Sequence, residues 1–227
     1  RFSDAIPAAA GWTREGTVRL PWESLTGDTT AGWEDAVVRW YRPFTYTTEW
    51  GSKTLAERNI PQWCYDADAW IRGRYVADDT LDAVKRAAAH FGEGLGIHWY
   101  YWHNHPYDTH YPDYLPAKEG FKEMIQTAQS LGAHVTPYIN GRLWAPAADS
   151  YRPDRGYDAS CRKPDGSLYT EIYPTSKVLN TVTCPSTDIW HEKIINLVDR
   201  LQKELGVDGV YIDQIAAAAP EPCWNKS

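Results

Sequence analysis

Apolar residues recur along the chain at spacings that switch between three-to-four and near-continuous, and the switches mark its elements. From Trp33, "WEDAVVRWYRPF" puts Trp33, Ala36, Val37 and Trp40 on one side of a helix. A strand over residues 67–72 is predicted after Pro61. "DDTLDAVKRAAAHFGEG" starts with acids, repeats Leu81, Val84, Ala88 and Phe91, and ends in glycines, the marks of an amphipathic helix. The run 95–102 reads as a second strand, 117–132 as a helix closed by Gly132, and 133–140 as a third strand. Residues 188–206 form a further helix with Ser186 and Thr187 available as caps, and "VDGVYID" is the fourth strand. Between the third strand and that helix lies a long insertion, 141–177. Its "RKPDGSLY" sets a Pro-Asp-Gly turn between extended runs and predicts a hairpin. Residues 1–32, punctuated by Gly, Thr and Pro, read as a connecting segment.

Strands that are apolar on both faces and alternate with helices predict an α/β fold with a parallel sheet. An open doubly wound sheet calls for a Gly-rich turn after an early strand, and "IRGRYVADD" is not one. The expectation is therefore a TIM-type (β/α)8 barrel, of which residues 33–227 supply roughly the first half. Half a barrel leaves parallel edges unpaired, so the remaining strands are expected on sequence outside this chain or on another chain.

Composition narrows the partner. A formal net charge of -7 argues against nucleic acid, and no apolar run is long enough for a membrane span. Trp 12 and Tyr 15 against Phe 4 favour rings with a polar handle, which suit the mixed apolar and hydroxylated faces of sugars. An oligo- or polysaccharide or glycoconjugate is the expected substrate, with no cofactor. Cys64, Cys161, Cys184 and Cys223 show neither a C-x-x-C pair nor zinc-type spacing, and read as small buried thiols, with a Cys184–Cys223 disulfide as the alternative.

In a barrel the C-terminal strand ends face the reactive side. That rule selects Trp70 and Arg72, then Trp102, His103, Asn104 and His105, then Asn140, Arg142 and Trp144, then Cys184 before the last helix, and finally Asp213 and Gln214. Asp213 is the catalytic candidate. Arg72, Trp102, His103, His105, Asn140, Arg142, Trp144, Cys184 and Gln214 are the substrate-binding candidates, with Arg142 placed to keep Asp213 ionised and Trp102 and Trp144 as sugar platforms. Glu221, Glu171 and Asp108 are the other acids within reach, all on loops. The H-x-H spacing of His103 and His105 raises metal-dependent hydrolysis as a rival, although His134 and His191 stand at a strand start and on a helix, away from that pair.

"LAERNIPQW", "YPDYLPAKEGFKEMIQTAQSLGAHVTPYINGRLW", "TCPSTDIWHEKI" and above all "GVDGVYIDQIAAAAPEPC" resemble a family of bacterial glycosidase-like barrels of unassigned activity, similar in outline to alpha-galactosidase and endo-alpha-N-acetylgalactosaminidase barrels. The resemblance implies that Asp213 is the nucleophile of a retaining hydrolysis of O-glycosidic bonds and that the acid/base comes from a later strand outside this chain. It also implies a preceding beta-sandwich domain whose tail is residues 1–32. A secreted, periplasmic or cell-surface location is expected. The competing class is a catalytically inactive carbohydrate-binding barrel that keeps the aromatic pocket.

Overall fold

The computed structural model describes residues 32–215, 217–219 and 221–226. The expectations for residues 1–31, a connecting segment and sandwich tail, lie outside the described residues. The chain divides into two compact units with the break after Gln62, further along than residue 32.

In the first unit, α1 (Trp33–Ala36) runs through a wider π-helical turn, Val37–Tyr41, into α2 (Arg42–Thr45). The predicted helix is present. Its apolar stripe is not a core, for Trp33, Val37 and Trp40 are all exposed. Beyond it, Thr54 and Glu57 form a reciprocal cap in which the Thr54 N–H and hydroxyl both donate to Glu57 Oε2 at 2.8 Å.

After a short helix, α3 (Gln62–Asp66), the second unit alternates as the pattern predicts. It contains β1 (Ala69–Tyr75), α4 (Asp78–Phe91), β2 (Leu95–Tyr101), α5 (Phe121–Ser130) and β3 (His134–Asn140). An inserted region carries β4 (Leu143–Trp144), α6 (Gly156–Ala159), β5 (Thr170–Ile172) and β6 (Leu179–Val182). α7 (Asp188–Arg200) and β7 (Tyr211–Asp213) complete the pattern. Strands β1, β2, β3 and β7 lie in that order in one sheet, and every neighbouring pair is parallel.

The register sends odd-numbered residues of β2 to one face, where Leu95, Ile97 and Trp99 are fully buried together with Val135 and Ile139 of β3. Helices cover this face. α4 contributes Val84 and Ala88, and α5 contributes Phe121, Ile125 and Ala128, whose spacing of three and four puts them on one stripe. Each large side chain so buried is worth roughly 1.5–3 kcal/mol relative to exposure. Glycine permits a close contact: a Cβ on Gly73 would lie 2.7 Å from the Trp99 ring, which reaches across to donate its indole N–H to the Tyr75 carbonyl at 3.1 Å.

Three local departures have physical causes. β1 extends to Tyr75, so Arg72 sits in the body of the strand rather than at its end. Asp208 meets β3 twice before β7 begins to pair, its N–H donating to the Val135 carbonyl at 3.1 Å and its carboxylate, in place of a backbone carbonyl, accepting the Val135 N–H at 2.8 Å, so regular pairing starts only at Tyr211. Thr187 is the N-cap residue of α7 but its hydroxyl donates to the Cys184 carbonyl at 3.0 Å, leaving the cap without a side-chain bond.

The insertion is more ordered than one hairpin. The expected turn is present, with Arg162 paired to Leu168 and the Lys163 N–H bonded to the Ser167 carbonyl at 2.8 Å. β4, β6 and β5 add a second, antiparallel sheet in that order. A separate core of Trp144, Ala145, Tyr151, Ala159 and Trp190 fills the space between this region and α7. Among the described residues no helix is long and apolar enough to cross a membrane.

Candidate active site

The face of the parallel sheet opposite α4 and α5 carries even-numbered residues of β1, β2 and β3. Pairing sets Arg72 beside His98, Tyr138 beside Tyr211, and Asn140 beside Asp213. This face is aromatic and partly wet: Trp70 is 52% exposed and Tyr211 43%. The rings of Tyr100 and Tyr138 stack at 4.9 Å, Tyr107 leans on Tyr138 at 5.4 Å, and His98 meets Tyr211 at 4.0 Å.

Asp213 ends β7 at the C-terminal edge of the sheet, half-buried, and accepts the Tyr138 O–H on Oδ2 at 3.2 Å. Its charge bears on His98, Tyr100, Tyr138 and Asp108. Burial raises Tyr138 well above its ordinary range, and Asp213 adds to the rise. Burial lowers His98, with Asp213 opposing and Arg72 assisting, so the imidazole is neutral near pH 7. Asp108 is a carboxyl pushed upward. Burial is the main cause and the charge of Asp213 adds to it, while the Tyr111 O–H donated to its Oδ1 at 2.5 Å pulls the other way.

The sequence candidates distribute unevenly around this centre. Arg72 lies on the same face, its guanidinium 5.7 Å from the Tyr100 ring centroid. Gln214, which follows Asp213, adopts φ 66, an uncommon left-handed conformation for a non-glycine residue, and its amide donates to the Tyr173 hydroxyl. Asn140 is buried and its Oδ1 accepts the N–H groups of Arg142 at 2.9 Å and Leu143 at 3.0 Å, so it shapes the turn after β3.

Four expectations need correction. Arg142 does not hold Asp213: it pairs with Glu171 at 2.7 Å, and the Asp213 carboxylate accepts instead from the Tyr138 phenol. Trp102 is fully buried, donating its indole N–H to the Tyr138 carbonyl at 2.8 Å and stacking on Tyr114 and Phe121, so it belongs to the core rather than to a sugar platform. Trp144 is equally buried and bonded to Ser150 Oγ at 3.1 Å. His103 and His105 do not converge. β2 ends at Tyr101 and strand alternation ends with it, so His103 turns inward against Tyr114 while His105 stacks on His110 at 4.2 Å. His103 is 3% exposed, and burial, with Lys118 and His105 nearby, lowers its pKa to about 4.

A cleft of about 370 Å³ opens beside the strand ends, lined by Arg142, Cys161, Thr183, Gln214 and Glu221 among others. Cys184 is buried next to it with no disulfide; all four cysteines are free thiols. His98, Tyr100 and Tyr138, near Asp213, and Tyr107, which leans on Tyr138, were not among the candidates. For the first three the signal was the even-numbered face of β2 and β3, readable only once register is known; Tyr107 lies on the loop after β2, where no alternation marks it.

A parallel α/β sheet whose aromatic face gathers at the strand ends around a carboxylate defines a TIM-barrel-like unit. An alpha-N-acetylgalactosaminidase from Bifidobacterium bifidum, solved in complex with Gal-NHAc-DNJ, has the same fold over 84% of this chain and 34% of its own, with a TM-score of 0.64 at 21% identity. The family model described as "Domain of unknown function (DUF6259)" matches residues 18–227, and the chain belongs to that family. A Bacteroides thetaiotaomicron protein named "Putative glycoside hydrolase" is 52% identical over 98% of this chain and 33% of its own length. A Monosiga brevicollis protein with a similar name is 34% identical over 74% of this chain and 16% of its own length. The chain thus spans about a third or less of the curated relatives it matches.

Proposed function

We propose that this chain is the nucleophile-bearing part of a glycoside hydrolase acting on O-glycosidic bonds with retention. The observation that carries the reading is Asp213 at the C-terminal end of a parallel strand, half-exposed, hydrogen-bonded by Tyr138 and faced by aromatic rings. The two names borne by relatives support the same class of activity. In this reading the chain contributes about half of an eight-stranded barrel, and strands outside it close the rest and bring the acid/base. Oligosaccharides, polysaccharides or glycoconjugates are the substrates, met outside the cytoplasm.

The reaction balances on two carboxyls. Asp213 attacks the anomeric carbon as the acid protonates the departing oxygen, giving a covalent glycosyl–enzyme; water then displaces the carboxylate while the acid's conjugate base takes its proton. The Tyr138 hydroxyl holds the attacking carboxylate in place. Arg72, His98, Tyr100 and Gln214 line its approaches and supply donors and ring faces for hydroxyls and C–H patches. A second reading of the acid rests on Asp108, a carboxyl that burial first and the charge of Asp213 second push upward, as a proton donor requires.

Incubating the full-length protein with 2-fluoro glycosides tests both points. A glycosyl adduct mapped by mass spectrometry to Asp213, with a fall in kcat of about 10⁴-fold or more in Asp213→Asn, is expected. Sugar binding without any adduct or turnover would instead identify a carbohydrate-binding barrel. Azide rescue of Asp108→Asn marks Asp108 as the acid, and unchanged turnover in that variant places the acid elsewhere.

A further inference from the structure

Three of the four cysteines, far apart in sequence, meet at one point: the sulfurs of Cys161, Cys184 and Cys223 all lie within 4.8 Å of one another. Backbone bonds fix each carrier. The Cys161 N–H donates to the Val182 carbonyl and the Cys184 N–H to the Ala159 carbonyl, both at 2.7 Å. Cys223 rides on a strap anchored just after it, where the Trp224 N–H donates to the Arg162 carbonyl at 2.9 Å and the Asn225 amide reaches the carbonyls of Asp158 and Ser160 at 2.6 and 2.9 Å. All three are free thiols, and Cys64, the fourth, is exposed.

We propose that this trio is a metal site that takes one zinc-type, thiophilic divalent cation through three sulfurs. Zinc bound tetrahedrally at about 2.3 Å from each sulfur needs sulfur–sulfur separations of about 3.8 Å, so side-chain adjustments of an ångström or less would close the set. Hard cations such as calcium and magnesium call for several carboxylate and carbonyl oxygens, whereas the ligand-type side chains that converge here, among the described residues, are three sulfurs. A disulfide would use two of the sulfurs and strand the third, whereas one ion engages all three. Three protein ligands leave one coordination position open, and Cys161 also lines the cleft shared with Arg142 and Gln214, from which water or a small ligand can fill it.

Full-length protein purified under reductant is titrated with zinc against a chromophoric chelator, and its cobalt form is followed by absorption. One equivalent of zinc, thiolate-to-cobalt charge-transfer bands, and shielding of Cys161, Cys184 and Cys223 but not Cys64 from alkylation are expected. Cys223→Ser, at the least buried of the three positions, weakens zinc binding by more than the ~10–100-fold typical of an outer-shell change, and Cys64→Ser leaves it unchanged. Failure of the reduced wild-type protein to take up zinc, uptake that Cys223→Ser does not weaken, or a disulfide from Cys223 in the protein as isolated would each overturn the proposal. The alkylation pattern of the wild-type protein decides the matter even where a cysteine variant does not fold.

Discussion

A carboxylate held by a tyrosine hydroxyl rather than a guanidinium keeps its charge available to an incoming carbon, since a neutral donor orients the oxygens without neutralising them. Asp213 has such a partner in Tyr138, and the sharp positive-φ turn at Gln214 directs the chain away immediately after it. Residues held in this region cost about 1–3 kcal/mol and persist where surrounding structure compensates, here the bond from the Gln214 amide to Tyr173. His103 carries a different kind of tension. Its pKa falls from 6.5 to about 4 on folding, chiefly through burial, so the unfolded chain binds the proton more tightly than the folded one. The sign follows: the neutral ring is fully accommodated above pH 6.5, and stability drops as pH falls from 6.5 toward 4, by about 3 kcal/mol across the window. Urea melts at stepwise pH should show this slope, and His103→Phe should flatten it. An equal slope in the variant assigns the acid sensitivity to other groups.

At the scale of elements, packing between strands depends on what a glycine leaves out. Gly73 lets the Trp99 ring lie flat across β1, and on the other face Gly96 gives Trp70 the same room, a Cβ there falling 2.6 Å from its ring. Gly73→Ala must push Trp99 from a site where it is fully buried, bonded to the Tyr75 carbonyl and set edge-on to Phe121. A loss of about 1–3 kcal/mol is expected, read as a lower urea midpoint with an unchanged m-value; an unshifted midpoint would show that the sheet relaxes around the added methyl. The long elements were legible in the sequence for the reason that makes them stable. Val84 and Ala88, or Phe121, Ile125 and Ala128, repeat at helical spacing because they cover one sheet. The antiparallel sheet of the insertion was not legible, since β4 is two residues and β5 three, too short to show alternation. Strand-end tryptophans read equally well as lid or platform, and only tertiary contacts assign Trp102 and Trp144 to the core. The meeting of three cysteines was invisible for the same reason: it depends on how the insertion folds back on the strap at Trp224.

For the second unit as a whole, the helices α4 and α5 cover one face of the parallel sheet, while the other face, among the described residues, buries Tyr138 but leaves Trp70 and Tyr211 exposed. Parallel sheets in α/β proteins are buried on both faces, and their edges are paired or shielded. Here β1 and β7 are the outer strands, and Trp70, Tyr75 and Tyr211 stand 52%, 42% and 43% exposed. The Bacteroides relative extends to about three times this length, which is room enough for the further strands that the proposed barrel requires. If those strands close the barrel, they must pair with β1 and β7 and bury the face that carries Asp213 into a pocket. The backbone amides of Ala69–Tyr75 and Tyr211–Asp213 should then exchange slowly in the full-length protein and quickly in residues 1–227 expressed alone. Quenching of tryptophan fluorescence by acrylamide should fall in the same direction, because Trp70 passes from solvent to the barrel interior. Exchange at these two strands that is equally fast in both proteins would leave the sheet open, and with it Asp213 on a surface where water competes for every contact a sugar needs.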